Sequence, residues 1–175
     1  NGESWSLLPA ASSTINLGLV DRFNTISRIR ISPTTGTVFI ASNGFGIYRS
    51  ADGETFSEDP VLGTEGEQIF CDVTIASDGT IAAVISEFEF DDQANPTPDS
   101  PNHNPGVFIS EDDGQSWTEI TPSTFPDTHN RSVLAFAPSN PDILYTFTLK
   151  RTSSTNQGVS FHKFDLAGGT AEDRS

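Results

Sequence analysis

An all-β fold is what this sequence predicts, and three observations carry the prediction. Helical periodicity is almost absent. Short apolar runs rich in β-branched and aromatic residues recur instead, punctuated by clusters of Gly, Pro, Asn and Asp. The runs also return as a unit of strand, turn, strand, loop, strand, turn, strand, about every 50 to 60 residues.

In the first unit, Ile26 to Ile31 (ISRIRI) alternates with period two and reads as a strand. Ser32 to Gly36 is a turn, Val38 to Ala41 (VFIA) a second strand, and Asn43–Gly44 a hairpin signal. Phe45 to Arg49 (FGIYR) is the third strand, followed by Ser50 to Phe56 (SADGETF). The second unit opens with Cys71 to Ala76 (CDVTIA), turns at Ser77 to Gly79, and continues through Ile81 to Ile85 (IAAVI). After an insertion, Gly106 to Ile109 (GVFI) leads into Ser110 to Trp117 (SEDDGQSW). The third unit is Ser132 to Ala137, a turn over Pro138 to Asp142, Ile143 to Thr148, and Gly158 to Phe164. Ala167 to Ser175 reads as a degraded hairpin for its fourth strand.

Four antiparallel strands per unit make one blade of a β-propeller. The chain therefore reads as a partial propeller of about three four-stranded blades. Residues 1–5 end a preceding blade, 6–56 and 118–175 are blades, and 57–117 is a blade with an inserted loop at 87–105. A lone blade cannot bury both faces, and propellers close with about four to eight blades. The expected partners are thus the remaining blades of the same propeller or another chain.

Ser110, Asp112, Gly114, Ser116 and Trp117 match every defined position of the pattern S-x-D-x-G-x-(S/T)-W. Ser50, Asp52, Gly53, Thr55 and Phe56 give the same pattern with one residue missing and Phe for Trp, while Gly2, Ser4 and Trp5 match its last half. On these motifs the chain resembles the Asp-box (BNR-repeat) propellers, which include sialidase-like, xyloglucanase-like and sortilin-like proteins. The resemblance implies that the boxes are structural and lie away from any active site. The residue types suit that role. A carboxylate at Asp52 or Asp112 accepts amides of its own turn, expected here to be buried donors. Gly53 or Gly114 supplies positive φ, and Trp5, Phe56 and Trp117 are expected to pack inward.

Composition narrows the function. Nine Lys and Arg stand against 24 Asp and Glu, for a formal net charge of -15. Such a surface repels phosphate backbones and anionic lipid, so neither nucleic acid nor membrane insertion is expected. The chain has no Met, so it is expected to begin after processing or inside a longer protein. Few lysines and abundant Ser, Thr, Asp and Asn point to an extracellular or cell-surface location, and the resemblance to a bacterial one.

The candidates for chemistry are few. Arg28 and Arg30, within Ser27 to Pro33, only graze the (F/Y)-R-I-P motif of sialidases and are expected to line a sheet or pair with carboxylates. Tyr48 and Tyr145 fall inside predicted strands. The two-carboxylate geometry of a glycosidase is not visible in sequence, and no catalytic residue is assigned. The loop Glu87 to Pro105 is the least blade-like stretch. Glu87, Glu89, Asp91, Asp92 and Asp99 offer hard oxygen ligands suited to Ca²⁺ or a partner-binding surface, or else form a solvated loop stiffened by prolines. Lys150 to Gln157 is a second polar loop. His103, His129 and His162 lack metal-ligand spacing and are expected on the surface or in satisfied loops. Cys71 is expected to be an inert buried thiol.

The expected function is a non-catalytic scaffold or binding module, taking glycan or protein through face loops without a cofactor. One alternative is a fragment of a xyloglucanase-like or sialidase-like glycoside hydrolase. Another is a secreted cargo or subunit of a larger surface or export assembly.

Overall fold

The computed structural model describes residues 25–63, 70–86, 105–126, 129–151 and 157–175. The half box at Gly2, Ser4 and Trp5 lies outside them, as do the loop acids Glu87, Glu89, Asp91, Asp92 and Asp99, and His103. Within them the chain forms eleven strands in three antiparallel sheets.

Sheet 1 contains β1 (Ile26–Ile31), β2 (Val38–Ser42) and β3 (Gly46–Ser50) in that order. Sheet 2 contains β4 (Cys71–Ile75), β5 (Ile81–Ile85), β6 (Gly106–Ser110) and β7 (Thr118–Glu119). Sheet 3 contains β8 (His129–Ala137), β9 (Asn140–Arg151), β10 (Gln157–Asp165) and β11 (Thr170–Asp173). Each is a meander, as expected where short turns join successive antiparallel strands.

Two differences from the sequence expectation concern fourth strands. Among the described residues sheet 1 has three strands, not four. Where the fourth would run, the chain touches β3 only intermittently, at Ser57 N–H to Arg49 O (2.9 Å), Val61 N–H to Ile47 O (2.7 Å) and Ile47 N–H to Leu62 O (2.8 Å). Pro60 has no N–H to donate, and the pairing is reduced to a single antiparallel bridge between Ile47 and Leu62. In sheet 2 the fourth strand pairs Ile109 with Thr118 and Phe108 with Glu119. It follows Trp117, beyond the expected boundary, because a strand can begin only after the hairpin turn has reversed the chain.

The sheets stack. Phe39, Ala41 and Ile47 of sheet 1 pack against Val73, Ile81, Ala83, Ile85 and Phe108 of sheet 2. The opposite face of sheet 2, with Ala82, Val84 and Val107, packs against Leu134, Leu144 and Phe164 of sheet 3. All five residues of β5 are buried. A strand covered on both faces must be apolar throughout, and this is why IAAVI lacks the alternation of β1.

Candidate functional site

The two turns that follow β3 and β6 share one arrangement. Asp112 Oδ1 accepts the amides of Gln115 (3.0 Å) and Ser116 (2.9 Å) and the Ser110 hydroxyl (2.8 Å), while Oδ2 accepts the Ser116 hydroxyl (2.6 Å). Asp52 Oδ1 accepts the amides of Glu54 and Thr55 (both 2.8 Å) and the Ser50 hydroxyl (3.0 Å). Gly53 (φ 73°) and Gly114 (φ 80°) are left-handed, as the reversal requires. The Ser116 hydroxyl and amide hold the Asp112 carboxyl down at about 2. The Thr55 amide, then Glu54 and Ser50, do the same for Asp52, also about 2. One expectation is corrected. Asp52 and Asp112 are exposed, and so are the amide bonds they accept, so these amides are not buried donors. Trp117 is partly buried against the core between sheets 1 and 2, and Phe56 is half-buried.

The carboxylate most deeply set among the sheets is Asp72 on β4, which sequence reading passed over. Its side chain is only 5% exposed. Oδ1 accepts Arg28 Nε from β1 (2.8 Å), and Oδ2 accepts Arg28 Nη2 (3.3 Å) and the buried Leu134 amide from β8 (2.9 Å). The hydrogen bond to Asp72 also holds the Arg28 proton more firmly, against the opposing effect of burial. One side chain thereby joins all three sheets. It can do so because β1, β4 and β8, the first strand of each sheet, lie side by side. Ser27 strengthens the same seam by donating to Cys71 O (2.8 Å). The available signal was a charged residue inside an apolar strand, CDVTIA, which a buried position tolerates only when paired.

The other candidates fall into place around this frame. Arg30 contacts the Ile29 carbonyl rather than a carboxylate (3.0 Å). Tyr48 is fully buried, and Tyr145 stacks on Phe161 with centroids 5.7 Å apart. His129 and His162 are not surface or loop residues. Both are buried on strands of sheet 3 and pack on Phe125, at 5.0 and 5.3 Å. His162 meets Ser160 and Thr124, and His129 meets Pro126 O and Ile85 O. The hydroxyls beside His162 can donate or accept, whereas the two carbonyls beside His129 only accept, and a neutral ring donates to one of them. Burial pushes the Cys71 thiol up to about 12, with Asp72 adding to the effect. No group of three or more metal-ligating side chains occurs among the described residues.

An apolar cleft of about 270 Å³ opens between sheets 2 and 3, lined by Ile109, Ile120, Pro122, Phe164, Leu166 and Ala171, with Asp165 at its wall. A second hollow of about 330 Å³ lies beside the first turn, bounded by Arg49, Asp52, Thr55 and Phe56.

No protein-family model and no curated protein sequence matches this chain. Among solved structures it is similar to a GH74 xyloglucanase from Xanthomonas campestris, with a TM-score of 0.54 and 16% identity. The similarity covers 85% of this chain but 22% of that enzyme. At this identity it is a likeness of fold: stacked antiparallel sheets of a propeller-like kind.

Proposed function

We propose that this chain is a run of blades from an Asp-box propeller and serves as a non-catalytic scaffold or binding module of a secreted or cell-surface protein, with glycan or protein as ligand. The observation that carries the reading is the seam of first strands β1, β4 and β8, tied by Asp72, from which three stacked sheets fan out. Inner strands side by side are what radial repetition of four-stranded sheets requires. The far face of sheet 3 supports it too. Phe147 and Val159 there are 49% and 50% exposed beside Tyr145 and Phe161, a face suited to cover by a further sheet of the same or another chain. Four of the described acids, Asp52, Asp72, Asp112 and Asp113, are engaged in holding turns or sheets, as a scaffold requires.

The second reading is a portion of a glycoside hydrolase, favoured by the likeness to the xyloglucanase. Glycan-array and partner-capture assays on the full protein, run beside assays on xyloglucan and a sialoside, separate the two. Capture without turnover is the expected result. Turnover that disappears on changing a single carboxylate would establish the hydrolase instead.

A further inference from the structure

The two boxes differ by one residue, and the structure shows what that residue does. In SEDDGQSW, Asp113 stands between Asp112 and Gly114, whereas SADGETF has nothing between Asp52 and Gly53. Asp113 is left-handed (φ 61°), an uncommon conformation for a residue with a Cβ. Its carboxylate turns away from its own hairpin and reaches sheet 1. Oδ1 accepts the Thr35 hydroxyl (2.8 Å), and Oδ2 accepts the Thr37 hydroxyl (2.6 Å) and Arg49 Nη2 (2.7 Å). Arg49 Nε also donates to the Asp113 carbonyl (2.7 Å). The neighbouring Gly114 lies so close to Phe39 that a Cβ would stand 2.5 Å from the ring.

The junction between sheets 2 and 3 lacks these parts. Arg49 immediately precedes Ser50, and the residue in the same place before Ser110 is Ile109. The turn of sheet 3, Leu166 to Gly169, brings no carboxylate of its own across. The apolar cleft opens at this point, with Ile109 and Leu166 in its lining.

We propose that Asp113, Arg49, Thr35 and Thr37 form a releasable clasp that closes the outer rim between sheets 1 and 2, and that without it this rim opens as the rim between sheets 2 and 3 already does. The box is then more than a hairpin turn. With the extra residue it reaches across to the preceding sheet. Burial works to raise the Asp113 carboxyl, but the Thr37 and Thr35 hydroxyls and Arg49 outweigh it and hold it below the usual carboxylate range. Arg49 is the charged group facing it from sheet 1, since the turn Ser32 to Thr37 carries none. On its own turn Glu111 and Asp112 are exposed, and the Asp112 carboxylate is directed to the amides of residues 115 and 116. A carboxyl held low keeps its clasp at neutral pH and loses it as pH falls through its folded value.

The test is residue-resolved hydrogen exchange on the full 175-residue chain, comparing wild type with Asp113→Asn, Arg49→Met and the double variant. Each single variant is expected to speed exchange at residues 35–37 and 114–116 by about tenfold or more while β5 and residues 166–170 stay unchanged. The double variant should exchange no faster than the more affected single variant, because one clasp opens only once. Unchanged exchange at both turns would overturn the proposal. So would additive effects, or acceleration spread evenly over all three sheets. Should the variants not fold, acidification of the wild type serves instead: release of the two turns before the sheets supports the clasp, and simultaneous loss refutes it.

Discussion

Asp72→Ala tests the three-sheet seam most directly. The substitution removes the acceptor for the buried Leu134 amide, which points out from the edge strand of sheet 3 and bonds to this side chain rather than to a strand of its own sheet. Leaving such a donor unsatisfied costs about 1 to 3 kcal/mol. The second loss is the pair with Arg28. Because the Arg28 side chain is 32% exposed, water recovers much of its solvation, and this part is discounted to about 1 kcal/mol or less. The sum is about 1 to 4 kcal/mol. At about 2 to 4 °C per kcal/mol for a chain of this size, the melting temperature should fall by about 2 to 16 °C. Asp72→Asn keeps an oxygen for the Leu134 amide while losing the charge, so it should cost about half as much. Urea denaturation and calorimetry of the two variants measure both values. If Asp72→Ala falls within about 0.5 kcal/mol of wild type, or Asp72→Asn is the worse of the two, the seam does not hold the sheets in this way.

Three further outcomes are expected. Gly114→Ala should be clearly more destabilising than Gly36→Ala. Both positions have positive φ, at a cost of about 1 to 2 kcal/mol for a Cβ, but only the Gly114 Cβ meets Phe39, while Gly36 has open space around it. Equal losses in parallel melts would remove the steric argument. NMR titration should place the Asp52 and Asp112 carboxyls at about 2, with the amides of Thr55 and Ser116 shifting together with them. Both are depressed in the folded state, so the stability they confer is complete above the unfolded value near 4 and is lost as pH falls toward 2. Carboxyls titrating near 4 would contradict the turn geometry. Cys71, with its thiol raised to about 12, should resist a thiol reagent at pH 8 until the chain unfolds, whereas labelling of the native protein at the rate of a free thiol would place it nearer the surface.

Much of the fold was legible because it is written locally. Alternation, turn residues and the length of a strand fix β1 to β6 to within a residue or two, since each depends on neighbours along the chain. The boxes were legible for the same reason: Asp112 is satisfied entirely by residues 110 to 116. Among the described residues the fourth strand of sheet 1 is reduced to one bridge, Ile47 to Leu62, because edge pairing depends on what lies across from β3, and a local pattern cannot report that. The burial of His129 and His162, expected at the surface or in loops, was hidden for a similar reason. Nothing in the spacing of 129 and 162 tells that both will meet Phe125.

The sequence by itself determined an all-β chain with two self-contained acidic turns, because hydrogen bonds spanning two to four residues form wherever those residues occur. Only the tertiary structure decided what Asp72 and Asp113 do. Each lies more than forty residues from the Arg it meets, Arg28 and Arg49, and a carboxylate gains a distant guanidinium only once the sheets have stacked. The stacking rests on apolar area summed over many residues, a quantity that has a place in space but none along the chain.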